Sequence, residues 1–518
     1  MLTNIRALAQ QQSRTSALGL VPAFILGAST ALSFAPYSIW IIYPIAMAFA
    51  LWQSSHLKPY ASFYYWLSFG FGCFAVGISW VHVSIDTFGG FPLIISLGLM
   101  GLLALYLALY PALTGLGLAW LSRTNTPSKW RNLVLFPALW VLTEWARGWV
   151  MTGFPWIWAG YSQTQGPLKE LASIIGALGL SFVIALLAGA LALCFSKRYK
   201  SLVVLLPLTA AAAFIAPKLS DIHPTGESVK VALVQGNIPQ SMKWEPDQLW
   251  PTLIKYMDLS REHLDADIIV WPEAAIPAPE EMVQDFLDNA NRVANLNNTS
   301  IVTGIISRQH GDFYNSLIVL GNHNQKVQET PDYQSDGSNQ FKKHHLLPIG
   351  EFVPFEALLR PIAPFFNLPM SSFARGDYLQ PNLSALGHQI APAICYEIVF
   401  PEQLRDSVNQ DTDLILTVSN DAWFGTSNGP LQHMEIAQMR AIELGRPVMR
   451  ATNNGVTAVV DEKGNITASI PQFETGVLIT SIPLVKGETW FAKIGQTPLL
   501  ILCGLLFFVG FIRRKLNS

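Results

Sequence analysis

Apolar positions fall in long blocks near both ends of the chain and in short blocks between them. The long runs cover roughly 15–33, 37–53, 61–82, 91–121, 132–145, 171–195, 201–216 and 496–512. Most approach or exceed the ~20 residues that a helix needs to cross ~30 Å of hydrocarbon, so about eight transmembrane helices are expected. The runs 132–145 and 201–216 are the shortest. No Ala-x-Ala cleavage pattern follows the first run, which therefore reads as a retained helix.

Between 217 and 490 the pattern changes. Short β-rich runs recur: "VKVALVQGNI" (229–238), "ADIIVWPEAA" (266–275), "TSIVTGIIS" (299–307) and "YNSLIVLG" (314–321). They continue with "HQIAPAICYE" (388–397), "TDLILTVSND" (412–421), "VTAVVDEKGNI" (456–466) and "TGVLITSIP" (475–483). Helix-length patterns lie near 246–264, 279–295 and 428–444. Strands alternating with helices, many of them continuous in apolar residues, predict an α/β domain with a buried sheet. About 270 residues suffice for a core of its own. The expected organisation is a transmembrane domain of about seven helices (1–216), an α/β domain (217–490), and a closing helix with a short tail (491–518). The stretch 322–340 reads as a polar exposed loop.

Composition supports the membrane reading, since 51% of residues are hydrophobic and only 13% charged. The distribution of charge gives an orientation. With both termini on one side, the segments on that side carry Arg6, Arg14, Lys58, Arg123, Lys129, Arg131, Lys197, Arg198, Lys200, Arg513, Arg514 and Lys515. The opposite short loops carry Arg147 and Lys169. Basic residues near helix ends mark the cytoplasmic face. The α/β domain is then outside, in the periplasm if the cell has two membranes.

That placement makes one thiol notable. Cys73, Cys194 and Cys503 lie in apolar runs, whereas Cys395 is alone in the outer segment, in "APAICYEIVF" (391–400). No disulfide can form within that segment, although the periplasm is oxidising. The thiol is either a buried small hydrophobe or a nucleophile. Three strands also end in polar groups: Glu273 after "DIIVWP", Cys395 after "APAI", and Asn420 with Asp421 after "LILTVS". Ligands gather at strand C-termini in α/β sheets, though a strand can also simply stop at a polar residue.

The blocks "WPE" (271–273), "KKHHLLPIGEFVP" (342–354), "CYE" (395–397) and "SNDAWFG" (419–425) resemble, in order, those of the nitrilase superfamily. A nitrilase-like αββα sandwich set between seven spans and an eighth resembles the apolipoprotein N-acyltransferase family in particular. "EWARGWVMTGFPW" (144–156) and "VQGNIPQSMKW" (234–244) extend the resemblance over essentially the whole chain. It implies Glu273 as general base, Lys343 as stabilising cation and Cys395 as nucleophile. The family spacing of eight residues from lysine to glutamate selects Lys343, before Glu351, rather than Lys342. Phe341 stands where tyrosine is usual and Ile349 where phenylalanine is common; neither is a reacting group. Supporting roles are implied for Glu351, Glu397 and Asn420, and shaping roles for Tyr396, Trp244 and Trp423, whose aromatic rings also suit packing or a membrane interface.

A thiol is mostly protonated at neutral pH, so a carboxylate in reach must take its proton during attack. Burial is expected to raise the pKa of that glutamate. In the family resembled, the acyl donor is a membrane phospholipid. The acceptor is the α-amino group of a diacylglyceryl-cysteine at the N-terminus of an apolipoprotein, in the last step of lipoprotein maturation. Transfer is ping-pong through a Cys395 thioester, without metal or cofactor. A membrane-anchored amidase and a transporter are the competing readings. "GTSNG" (425–429) places Ser427 too far beyond its strand for a nucleophile elbow. His344 and His345, as neighbours on a strand, face opposite ways. No basic patch suggests nucleic acid.

Overall fold

The structure is a computed structural model that describes residues 19–122, 127–322, 332–335, 337–348, 350–352 and 372–516. Arg6, Arg14, Arg123, Ile349 and much of the 322–340 loop lie outside these residues. The chain forms two compact units: Met1–Leu219 with Thr426–Glu435 and Ile494–Ser518, and Ser220–Gly425 with Ile436–Lys493.

In the first unit, the described part of each apolar run is helical over most of its length. Among the described residues, three helices are long and apolar enough to cross a membrane: Leu93–Ser122, Lys169–Cys194 and Lys200–Leu219. A fourth is added if Pro59–Gly77 and Val81–Phe88, bent by 57°, form one span. Helix length alone therefore does not give the eight spans expected from the runs. Ile42–Gln53 and Phe136–Arg147 have 12 residues each, only ~18 Å at 1.5 Å per residue. Large apolar side chains such as Ile94, Val203 and Leu208 are exposed along the longer helices, a surface that suits lipid. The chain is a membrane protein.

Ionisable groups inside this unit brace its backbone. Arg147 Nη1 donates to the carbonyls of Phe154 (2.8 Å) and Trp156 (2.7 Å), while Glu144 accepts the N–H of Ala159 at 2.9 Å. The segment Thr426–Glu435 is tied in through Gln432. Its Oε1 accepts from the indoles of Trp80 (3.1 Å) and Trp156 (2.8 Å), and its Nε2 donates to the Gly77 carbonyl at 3.0 Å.

The second unit contains two sheets. The first begins with β1 (His223–Gln235), β2 (Ile268–Val270) and β3 (Ile276–Pro279), and continues with β4 (Ser300–Gln309), β5 (Asp312–Leu320) and β6 (Gln340–Lys342). The second contains β7 (Leu383–Ala385), β8 (His388–Ile394), β9 (Leu414–Ser419), β10 (Val448–Thr452), β11 (Thr457–Val460) and β12 (Ile466–Ile470). The last strand, β13 (Gly476–Lys486), returns to the first sheet, whose order is β13-β1-β2-β4-β5-β6 with β3 on β4. The second sheet runs β12-β11-β10-β9-β8-β7.

Strands β1, β2 and β4 are parallel neighbours, as are β8, β9 and β10. Parallel neighbours need crossover connections, which include the helices Leu249–Arg261, Gln284–Asn297, Pro401–Ser407 and Gly429–Leu444. Alternation along β1 shows how the layers form. Val229, Val231 and Leu233 enter a core shared with Ile390, Leu416 and Met449 of the second sheet. Ala232 and Val234 point the other way, to Leu253, Tyr256 and Leu287 of the covering helices. The period of two puts successive residues on opposite faces.

Leu416 lies at the centre of the shared core with no exposure. Leu416→Ala should lower stability by ~2–5 kcal/mol, seen as a lower melting temperature in detergent. Ile466→Ala, at an exposed position on β12, should leave it nearly unchanged.

Candidate active site

Glu273 is delivered by a tight turn just past β2. Trp271 extends the strand by donating its N–H to Val302 O at 2.9 Å, and its indole donates to Ser260 Oγ at 2.9 Å. The chain then turns at Ala274 (φ 44°). This turn is pressed against Gly304 of β4, where an added Cβ would lie 2.4 Å from Ala274 N and 2.6 Å from Pro272 O. Only glycine leaves room there. Glu273 is consequently aimed inward and is 8% exposed. Its Oε1 accepts from Asn315 Nδ2 at 2.9 Å, and its Oε2 accepts the main-chain N–H of Asn420 at 2.9 Å.

Lys342, the last residue of β6, and Lys343, just past it, part company. Lys342 Nζ reaches Gln309 Oε1 and the face of Tyr314, 4.9 Å from the ring centroid. Lys343 turns inward and is 1% exposed. Its position is set by main-chain bonds, Lys343 N to Asn315 O at 2.8 Å and Gly376 N to Lys343 O at 2.9 Å. The ammonium lies 2.8 Å from Glu351 Oε2 and 3.5 Å from Glu273 Oε1. Asn315 Nδ2 also donates to Glu351 Oε1 at 2.9 Å, so one amide bridges both carboxylates.

Cys395 follows β8 directly and adopts φ 53°, a left-handed conformation that is strained for a residue with a side chain. Glu397 holds it there. Its carboxylate accepts the N–H groups of Ile394 (2.9 Å), His344 (2.8 Å) and His345 (3.1 Å), together with Gln403 Nε2 (3.1 Å). The nucleophile turn and the segment after Lys343 are thereby fastened to one side chain. The Cys395 sulfur lies 3.4 Å from Ser419 Oγ, which donates to Asp421 Oδ1 at 2.6 Å. Asp421 is paired with Arg450 at 2.7 Å.

Asn420 contributes its side chain as well as its N–H. Its Nδ2 donates to Gln240 Oε1 at 2.6 Å and its Oδ1 accepts from Asn453 Nδ2 at 3.0 Å. Tyr396 is buried with its ring edge-on to Phe400 at 5.2 Å, and Trp244 and Trp423 are half-buried. His344 and His345 accept no shared ligand: their Nδ1 atoms meet Gly376 O and Gln403 Oε1, respectively. Ser427 Oγ accepts the N–H of Gly429 at the start of a helix. The structure thus brings together Glu273, Lys343, Glu351, Cys395, Glu397 and Asn420. Asn315 lies outside the motif blocks, and Ser419 and Lys243 lie within them without a role being given to either; Lys243 Nζ donates to the Glu273 carbonyl at 2.9 Å.

The electrostatics correct one expectation. Burial would raise the Glu273 pKa, but the Lys343 ammonium, the Asn315 amide, Lys243 and the Asn420 N–H outweigh it, and the carboxyl lies below its usual value. Lys343 is pulled down by burial, yet Glu351 and Glu273 hold it above the ordinary lysine value. The Cys395 thiol is pushed well up by burial and by the nearby Glu273 charge, with Lys343 opposing. A free thiolate is thus disfavoured. The geometry suits proton transfer to an ionised Glu273 as sulfur attacks a carbonyl, with the ammonium facing the negative charge that forms.

These elements define a member of the nitrilase superfamily. Residues 230–491 match the family described as carbon-nitrogen hydrolase, and residues 26–190 match the apolipoprotein N-acyltransferase N-terminal domain. The chain is 85% identical over 515 residues to the apolipoprotein N-acyltransferase of Shewanella oneidensis, covering 99% of each chain. It is 50% identical to that of Vibrio cholerae (96% of this chain, 97% of the relative) and 38% to that of Haemophilus influenzae (96% and 95%). The chain belongs to the apolipoprotein N-acyltransferase family.

Two outcomes follow. Because the folded Glu273 pKa is depressed, its charged form stabilises the fold above the ordinary carboxylate range, and that contribution is lost as pH falls through the lowered value. Lys343→Met removes the largest opposing charge, so the acid limb of both stability and acylation rate should move to higher pH, measured by melting and acylation series from pH 4 to 8. Gly304→Ala should displace the Glu273 turn, lowering stability by ~1–3 kcal/mol and acylation rate at least tenfold, measured in the same two assays.

Proposed function

We propose that this acyltransferase works through Cys395 as nucleophile, Glu273 as general base and Lys343 as the cation that stabilises the tetrahedral intermediate. The observation that carries the reading is the buried Glu273–Lys343–Glu351 cluster acting on a thiol held at a left-handed strand end. The donor is a membrane phospholipid. Glu273 takes the thiol proton as sulfur attacks the ester carbonyl carbon, and the negative charge passes to the carbonyl oxygen, beside Lys343 and a main-chain N–H after Cys395. Collapse breaks the ester C–O bond. The leaving alkoxide takes the proton from Glu273 and departs as lysophospholipid, with the acyl group on sulfur.

The second half uses the same groups. The α-amino group of a diacylglyceryl-cysteine attacks the thioester, Glu273 removes a proton from the nitrogen, and the C–S bond breaks. Sulfur recovers its proton and the acceptor carries a new amide. Glu351 and Glu397 support Lys343 and Cys395, Asn420 orients Glu273, and Tyr396, Trp244 and Trp423 shape the approach. The first unit, with its apolar outer surface, suits substrates that are themselves lipids. A small-amide hydrolase has no need of it.

Eight spans, both termini in the cytoplasm and the catalytic domain in the periplasm complete the reading, with the enzyme in the bacterial inner membrane. The asymmetry of basic residues supports this orientation. The transmembrane parts are taken as 1–216 and 491–518, and the catalytic domain as 217–490.

Intact-mass analysis after incubation with phospholipid alone tests the chemistry. The parent should gain one acyl chain, removable by hydroxylamine, and should lose it to a diacylglyceryl-cysteinyl peptide; Cys395→Ala should gain nothing. A parent with an accessible thiol and no mass gain would redirect the reading to an amidase.

A further inference from the structure

Lys243 ends the four-residue helix Gln240–Lys243, between exposed Met242 and half-buried Trp244. It is itself only 3% exposed. Lysine is rarely this buried without a carboxylate partner. In the same unit, Lys343, Arg440 and Arg450 lie 2.8, 3.0 and 2.7 Å from Glu351, Glu443 and Asp421, and Arg446 is held by the carbonyls of Thr412 and Gly445. Among the described residues Lys243 has no carboxylate within 4.0 Å. Its one protein hydrogen bond there is to the main-chain carbonyl of Glu273, at 2.9 Å.

We propose that Lys243 is a second cationic positioning residue of the active site, which fixes the backbone of Glu273 and supplies positive charge that offsets the negative charge developing on the substrate oxygen. The inference rests on the assignment of Cys395 and Glu273 given above. Two carboxylates, Glu273 and Glu351, face one ammonium, Lys343, and Glu351 lies closest to it. Glu397 is a further buried carboxyl group at the site, so Lys243 lessens a local excess of carboxylates. Its field acts on both Glu273 and Cys395. During attack the proton goes to Glu273 and the negative charge to the substrate oxygen, so the total is conserved. Without Lys243 that oxyanion would form in a site where carboxylates outnumber cations still further, in surroundings where charges are weakly screened.

The titratable groups that act on Lys243 are Glu273, on the turn after β2, and Cys395, after β8; Glu245 on its own segment is exposed. Burial pulls its pKa down to about 8, against the pull of Glu273 and Cys395. The ammonium is therefore mostly charged at pH 7 and discharges just above. Arginine at this position would stay charged throughout.

The test is the rate of acyl-enzyme formation at saturating phospholipid in the full-length protein, measured by intact mass from pH 6 to 10. The parent, Lys243→Arg, Lys243→Met and Cys395→Ala are compared, each checked by melting temperature. The parent rate should fall above pH about 8. Lys243→Arg should keep activity with that alkaline limb moved up by a unit or more. Lys243→Met should be ~10–100-fold slower at pH 7, without the limb and with unchanged KM for phospholipid. A parent rate that does not fall between pH 7 and 9.5 overturns the proposal. So does an alkaline limb that stays in place in Lys243→Arg, or a Lys243→Met variant as fast as the parent. Acylation persisting in Cys395→Ala would instead remove the nucleophile assignment on which the proposal stands.

Discussion

The site depends on burying charges together. Lys343, Glu351 and Glu273 are all at most 9% exposed, and each would lose several kcal/mol of hydration if buried alone. They persist because they satisfy one another. The ammonium sits between two carboxylates, and the Asn315 amide donates to both. Leu347 contributes a further N–H to Glu351 at 2.8 Å. Removing Lys343 leaves two carboxylates facing each other without their cation, and the cluster forms only when β5 and β6 pair in one register. Ser316 opposite Lys342 is the pairing that places Asn315 and Lys343 side by side.

The same cluster decides the protonation of the Cys395 thiol at rest. With Glu273 held ionised and the Cys395 thiol pushed up, sulfur keeps its proton until a carbonyl arrives. A preformed thiolate would be open to oxidation whenever solvent reached it. Reactivity here comes from orientation: the left-handed turn at Cys395, the four donors on Glu397 and the main-chain bond from Asn420 to Glu273.

Much of this was legible in the sequence. The apolar runs at 229–238, 299–307, 388–397 and 412–421 correspond to β1, β4, β8 and β9. The polar residues Glu273, Cys395 and Asn420 stand just past strand ends, and "KKHHLLPIGE" carries both Lys343 and Glu351 at a fixed interval. What stayed hidden depends on pairing between distant segments. Asn315 looks like any polar residue in a strand until its register with Lys343 is known. β10, "VMRAT", reads poorly as a buried strand because Arg450 interrupts it, and its pairing with Asp421 helps make that arginine tolerable. The ionisation of Glu273 was misjudged for the same reason, since burial is visible in an apolar context but the surrounding cations are not. Counting spans from apolar runs met a different obstacle, because two of the runs form α-helices of only 12 residues, Ile42–Gln53 and Phe136–Arg147.

The first strand of the sandwich pairs with the last: β1 lies antiparallel to β13, from Val229 opposite Ile482 to Gln235 opposite Gly476. The sheet that carries Glu273 and Lys343 thus acquires its edge only when residues near 480 have been made. Cys395 follows a strand of the other sheet, so neither sheet alone carries all three side chains. A chain that ends before Gly476 therefore leaves one side of β1 without its strand partner, and the unpaired main-chain groups of that edge are open to pairing with another chain.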